Sequence, residues 1–506
     1  MSPPVWVLAA SIAGARVDFD GKTFYLGDLH AHTGISTDGG SSDLGNCSGE
    51  CGAFADVLDI ARDNGLDFLA LTEHVNGTQA ADEAGFAMEL AALQAAGEIA
   101  DGLVLLPGVE LWWMIDGDMI GHKNLYFRAS NAELAELTLE DVRFDGENET
   151  VTGCAAIWDF VEQVEARWGP VMLLAHHPAM SGGMGTDWSC HLDPRAVRLS
   201  PSLEIYSRHG NSEECEPEFD PVWQVCDPDR TALAALDPGG NALHLGFIGG
   251  TDEHDTHPGG VCRRDTQMAQ HPFGGGLTVA ALPEGATFDR AALYDAIASR
   301  STYATSGPLL PVTVSYRLGG QVVGGLGQDL IVPEGAPLQV EVRVPAEYQD
   351  LVTGVTVIAP RERVALISDG AGRYLGQVGD QDRPVWVYVR VLVDGGAWYG
   401  EDGCDDGGAD TSEYLWLSPS WLALPEPDTG GTDDTGKPDT GTHPHDSDDS
   451  DAPHDSPAPC DCDCDCDCEC DCESDQRGCG LLGVSGLLAL ALSALPLVLG
   501  RRTPRA

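Results

Sequence analysis

The chain has 506 residues, 42% of them hydrophobic, which is enough for two or three domains with real cores. Its formal net charge is −54, with 27 Lys and Arg against 81 Asp and Glu, and this excludes a surface built to neutralise nucleic-acid phosphates or an anionic bilayer. The 18 acidic and 5 basic residues from Pro425 onward carry −13 of that charge and leave −41 on the body, which reads as composition drift, salt adaptation or a surface that holds cations.

In chain order, the apolar run VWVLAASIAGA, with Ala13 and Ala15 spaced for a signal peptidase, predicts a signal peptide over residues 1–15. It lacks the usual preceding Lys or Arg, and a misassigned start or a buried first strand would look alike. The stretch YLGDLHAHTGISTDGG then predicts a strand end carrying His30 and His32, whose spacing puts both imidazoles on one side, followed by Asp38 in a glycine-bearing loop. In NCSGEC, Cys47 and Cys51 are close enough to pair locally, with a zinc knuckle as the competing reading.

The helical stretch FADVLDIARDNG leads into the strand LDFLALTEH, which ends on Glu73 and His74. A second helix, AGFAMELAALQAAGEIAD, precedes LVLLPGVEL with Glu110, and MIGHKNLYF delivers His122. Helix AAIWDFVEQVEARWG precedes PVMLLAHHP with His176 and His177. SLEIYSRHG presents Glu204, Arg208 and His209, and ALHLGFIGGTDEHDTHPGG presents Asp252 and His254. Strands alternating with helices predict a parallel sheet, and polar groups at successive strand ends predict a barrel with its chemistry on one face. One histidine after an apolar strand is commonly a satisfied loop residue; the same coincidence at every strand end is not. Imidazole and carboxylate are the ligands of Zn, Mn or Fe ions.

The ordered series GDLHAHT, TEH, PGVE, GHKN, AHHP, LEIYSRHG and GTDEH, from about Tyr25 onward, resembles the motif series of the PHP (polymerase and histidinol phosphatase) superfamily of metal-dependent phosphoesterases. A later R-x-x-Y-A-T-S-G element, Arg300 to Gly307, is similar to that of a PHP branch of largely unassigned function. The resemblance implies an α/β fold, a distorted (β/α)7 barrel over residues 16–307, with two or three divalent ions at one rim. It implies that His30, His32, Glu110 and Asp252 hold the first ion and that Glu110 bridges to a second. The second would be completed by His122 and by His177 or its neighbour His176, and Asp38, His74 and His254 would hold a third. Asp38 stands where many relatives have histidine, and TEH replaces the commoner TDH. Glu204, Arg208, His209 and Arg300 are candidates for phosphate contact or acid catalysis. The implied activity is hydrolysis of a small or exposed phosphate ester by metal-activated water; an amidohydrolase or a non-catalytic metal-stabilised module are the alternatives.

After Gly307 the texture alternates apolar and polar residues between glycine and proline turns, as in LLPVTVSYRLGGQVVGG and RPVWVYVRVLVDGG, and predicts a small all-β sandwich over residues 308–424. Residues 425–478 read as an acidic spacer ending in the Cys–Asp alternation CDCDCDCDCECDCE. Residues 479–506 open on Cys479 and carry an apolar run followed by Arg501 and Arg502, long enough to span a bilayer. This end resembles the sorting signals of myxobacterial surface proteins and implies export and anchoring at the cell surface, through the segment or through Cys479. The eight body cysteines, even in number, fit disulfides in an exported chain.

Overall fold

Strand Lys22–Ala31 is buried along nearly its whole length, from Phe24 through Leu29 to Ala31, because it is flanked on both edges and covered on both faces. It pairs in parallel with Phe68–Leu71 and antiparallel with Leu277–Pro283 and Val17–Phe19. The computed structural model describes residues 16–425 apart from 34–53, 75–79, 116–117, 144–152, 217–221, 223–224, 238, 255–256, 262–273, 380–384 and 396–411. The signal-peptide stretch, Asp38, the Cys47 and Cys51 pair, the acidic spacer with its Cys–Asp repeat, Cys479 and the terminal apolar run lie outside the described residues.

From Phe68–Leu71 the sheet continues in parallel to Leu103–Ile115, then turns antiparallel to Asp118–Phe127 and antiparallel again to Val171–Ala175. Parallel pairing resumes with Ser202–Ser207 and Gly246–Gly249. Strands Leu277–Pro283 and Thr302–Thr305 are antiparallel neighbours. This corrects the expected (β/α)7 barrel: among the described residues 23 strands stand against seven α-helices, and the sheet is mixed where one helix per parallel strand was predicted. The physical reason is the connection. Only Asp116 and Gly117 separate Leu103–Ile115 from Asp118–Phe127, too few for a crossover, so the two strands can pair only antiparallel.

Strands of the expected all-β region, residues 308–424, join the large sheet. Ser412–Leu417 pairs antiparallel with Thr302–Thr305 and with Trp386–Asp394, which pairs with Val352–Ala359, so these strands extend the large sheet that carries the ligand candidates. A second, five-stranded sheet holds Gln321–Gly325, Thr313–Leu318, Leu338–Arg343, Arg373–Val378 and Ile367–Ser368. One core runs through both regions, joining Leu26, Leu69, Leu105 and Val279 to Tyr303, Leu310, Val340 and Val389.

Helix Phe54–Asp63 buries Val57, Leu58 and Ala61, one stripe at helical spacing, against that core. Helix Ala155–Trp168 buries Trp158, whose Nε1 donates to Cys190 O at 2.7 Å, and the Cys154–Cys190 disulfide ties the helix start to the same segment. A second disulfide joins Cys215 and Cys226. Disulfides of this kind belong to oxidising compartments. Among the described residues no helix is long and apolar enough to cross a membrane.

Candidate metal centre

The C-terminal ends of the central strands are laced to one another by their backbones. Asp252 N donates to His30 O (2.7 Å), His32 N to Glu253 O (2.8 Å) and Glu110 N to Glu73 O (3.0 Å). Period-two alternation along Lys22–Ala31 and the residue beyond it puts Asp28, His30 and His32 on one side. The close approach is possible because residue 250 is glycine: a Cβ there would lie 2.4 Å from His30 Cβ and 2.7 Å from Glu204 Oε2.

Four donor atoms meet at the centre. His30 Nε2 and His32 Nε2 lie 3.2 Å apart, each lies 3.2 Å from Glu110 Oε2, and Asp252 Oδ1 lies 3.4 Å from the first and 3.5 Å from the second. Ligand atoms about 2.1 Å from one ion are separated by roughly 3.0–3.4 Å at octahedral to tetrahedral angles, so these spacings fit a single cation. On the other side Glu110 Oε1 lies 2.8 Å from His122 Nδ1, 3.2 Å from His176 Nε2 and 3.4 Å from His74 Nδ1. Two further groups, His122 with His176 and His177, and His32 with His74 and His254, each bring their nitrogens within 4.8 Å of one another.

The electrostatics suit cations. Burial raises the Glu110 carboxyl, but His74, His176 and a hydrogen bond from His122 outweigh it and bring Glu110 well below the usual carboxylate range. Asp252 behaves alike, burial being outweighed by His30 and His209. Burial holds His176 and His254 down to about 3 and lowers His122 and His177, so these rings are neutral with lone pairs to give. His32 is the counter-case: burial lowers it, yet Asp252 and Glu110 lift it to about 9, a proton held where a cation would discharge the same field. His32 Nδ1, His176 Nδ1 and His177 Nδ1 are buried and make no hydrogen bond.

Surrounding groups fix these donors. Glu204 Oε2 lies 2.8 Å from His30 Nδ1, so a proton on Nδ1 leaves Nε2 with its lone pair toward the cluster. Thr33 donates from both its N and its hydroxyl to Glu73, the acid of TEH. Asp28 accepts from the backbones of His30 (3.0 Å), Thr251 (3.0 Å) and Gly259 (3.0 Å) and from the Thr251 hydroxyl (2.5 Å). Asp28 was missed as a functional residue, although the step of two from Asp28 through His30 to His32 was there to find it.

The structure brings together His30, His32, His74, Glu110, His122, His176, His177, Glu204, His209, Asp252 and His254. The HHP pair resolves into two participants, with His176 toward Glu110 and His30 and His177 beside His122 and His209. Arg208 and Arg300 both have partners within the chain. Arg208 is buried and its Nη1 donates to Glu253 Oε1 at 3.1 Å. Arg300 donates to Gly327 O (3.0 Å) and Asp329 (3.1 Å), and its side chain lies against Gly246, the end of strand Gly246–Gly249 remote from Asp252.

No family model and no curated protein matches the chain. Among solved structures, an engineered protein of known crystal structure is similar at 14% identity over 72% of this chain and 52% of that one, with a TM-score of 0.16. The chain thus spans about half the length of that protein, and a likeness at this score carries no argument about fold or function.

Proposed function

We propose that the chain is a metal-dependent phosphoesterase of the kind its motif series resembles. The observation that supports this reading best is the set of four donor atoms from His30, His32, Glu110 and Asp252, spaced 3.2–3.5 Å apart as co-ligands of one ion would be. His122, His176 and His177, with the second oxygen of Glu110, would hold a neighbouring ion, and His74 and His254 would contribute to a third. Zn, Mn or Fe ions held there would lower the pKa of a bound water toward about 7 and offset the charge of a phosphate group.

The chain's own residues do the rest. Glu204 orients His30, and Asp28 and Glu73 lock the backbone segments that carry His30, His32 and the Thr251–Asp252 turn. The side chains of His209 and His254, 9% and 11% exposed against 6% for His74, are the more open donors and mark the side from which a substrate would approach. Arg208 pairs with Glu253 and Arg300 with Asp329, and the ions would carry most of the phosphate charge. A carboxylated lysine, which the amidohydrolase alternative requires, gains no support, because Lys123 follows His122 on the opposite strand face and its Nζ lies 3.3 Å from Thr186 Oγ1. We further propose that the enzyme is exported and held at the cell surface through its C-terminal segment, a reading that the two disulfides support.

The test is elemental analysis of the purified full-length chain under metal-replete conditions, followed by assay on phosphate monoesters and diesters with each metal found. At least two ions per chain and turnover of one ester class are expected. Fewer than two ions, or no hydrolysis with any metal, would favour a binding module.

A further inference from the structure

We infer that His209 is an ion ligand, forming with His177 and Oδ2 of Asp252 a donor group outside the sets that the motif resemblance implies. The inference builds on the metal-centre reading above and adds one position to it. Donor atoms of the three residues lie within 4.8 Å of one another, and all three are buried.

Asp252 divides its oxygens. Oδ1 faces His30 (3.4 Å), His32 (3.5 Å) and His254 (3.2 Å), whereas Oδ2 lies 2.7 Å from His209 Nε2. At that distance the imidazole and the carboxylate oxygen address each other directly. A cation drawn by the Asp252 charge would take the same imidazole nitrogen and carboxylate oxygen as ligands, with His177 completing the set.

The backbone agrees. His177 (φ 31°) and Asp252 (φ 53°) are two of six non-glycine residues among the described ones with positive φ, a conformation that persists where surrounding structure enforces it and that gathers at ligand sites. The limb carrying His209 is also rigid. Arg208 N donates to Thr251 O (3.3 Å) and Ser212 N to Ile205 O (2.8 Å). Four residues beyond His209, buried Glu213 accepts from Arg390 (2.6 Å), Trp416 Nε1 (2.9 Å) and the Tyr388 hydroxyl. Ligand precision of this kind comes from such supporting contacts. Two imidazoles and one carboxylate oxygen are a donor set for Zn²⁺ or a similar borderline divalent ion. The competing account is an imidazolium paired with Asp252, in which His209 holds no ion.

The experiment titrates metal-free full-length protein, wild type, His209→Ala and His209→Gln, with Co²⁺ and Zn²⁺, reading stoichiometry by elemental analysis and Co²⁺ coordination by visible absorption. Both variants are expected to lose one ion per chain or to hold it at least tenfold more weakly. Zinc-soaked wild-type crystals should show an anomalous peak between His177, His209 and Asp252, which decides the matter even where the variants fail to fold. Wild-type protein that binds ions while the variants keep its count and affinities, or crystals with peaks elsewhere and none there, would overturn this assignment alone. Wild-type protein that binds no ions would overturn the metal-centre reading with it.

Discussion

Glu110 and Asp252 face each other across His30 and His32 and split their carboxylates in the same sense. Glu110 Oε2 and Asp252 Oδ1 both lie 3.2–3.5 Å from the two Nε2 atoms, while Glu110 Oε1 turns to His122 and Asp252 Oδ2 to His209. Each carboxylate therefore borders two groups of imidazoles, and an alteration at either should be felt on both sides.

Glu110→Gln is the direct consequence. A carboxamide keeps the volume and one oxygen but gives up the charge and the second oxygen that reaches His122 (2.8 Å). The variant is expected to lose at least one ion per chain and about a hundredfold or more in hydrolysis, with an unchanged circular-dichroism spectrum. Wild-type ion content in this variant would exclude a bridge through Glu110.

Glu204 acts one contact further out. Its Oε2 lies 2.8 Å from His30 Nδ1, on the side of the ring away from the donors. Removing such a partner of a ligating histidine costs roughly 10–100-fold in metal affinity. Competition with a chromophoric chelator should show a loss of that size for Glu204→Ala, and a wild-type affinity would mean that His30 is oriented by something else.

Chelation should destabilise the chain as well as silence it. A ligand present at 1,000 times its dissociation constant adds about 4 kcal/mol to the folded state, and metal-free protein must keep Glu110 and Asp252 ionised with only imidazoles for company. A fall in Tm of roughly 5 °C per ion lost in chelator, reversed by Zn²⁺ or Mn²⁺, is expected from calorimetry. Equal melting curves with and without metal would argue that these clusters hold none.

How far the sequence exposed all this varied with the kind of information. The donors were legible because GDLHAHT, PGVEL and AHHP carry polar residues straight out of apolar runs, although Glu110 and His122 stand inside strands Leu103–Ile115 and Asp118–Phe127 rather than at their ends. Strand direction was not, since an apolar run such as LVLLPGVEL reads alike whether its neighbour runs parallel or antiparallel; the clue lay in the Asp116–Gly117 dipeptide, a hairpin composition. Arg300 shows the limit of motif reading. Its place in R-x-x-Y-A-T-S-G suggested phosphate contact, but its backbone takes φ 61° and its guanidinium is spent on Gly327 and Asp329. Nothing local in sequence announces a partner that is supplied from 27 to 29 residues further along the chain.

Asp67 predicts a pH dependence that is separate from the metal centre. Burial lifts its carboxyl to about 6, only partly offset by the Leu26 N–H it accepts at 2.9 Å and by Arg16. The folded pKa lies above the unfolded value of about 3.9, so the folded state binds the proton more tightly, and this contribution favours folding at low pH and is lost as pH rises from about 4 to about 6. Asp67→Asn keeps an acceptor for Leu26 and removes the penalty. Urea unfolding at pH 4 and pH 7 should find the variant gaining on wild type by about 2 kcal/mol between the two, and a constant difference would refute the assignment.

Glu213 tests whether the C-terminal strands belong to the same folding unit as the donors. Its carboxylate is 1% exposed and collects Arg390, Trp416 Nε1 and the Tyr388 hydroxyl, all from strands that a separate sandwich would have kept to itself. Burial and the adjoining Glu213 carboxylate hold the Tyr388 phenol well above its ordinary range, so the hydroxyl is a committed donor. Glu213→Ala takes from Arg390 and Trp416 an acceptor that water cannot replace in a buried position, at a cost of about 3–5 kcal/mol, whereas Glu213→Gln retains one acceptor and should lose less. Because Ser412–Leu417 also pairs with Thr302–Thr305, the loss should appear as a shift of one cooperative transition, monitored by far-UV circular dichroism and by tryptophan fluorescence. Two separated transitions, with only the fluorescence-detected one moved, would show that the strands fold independently and that the His209 limb takes its rigidity from elsewhere.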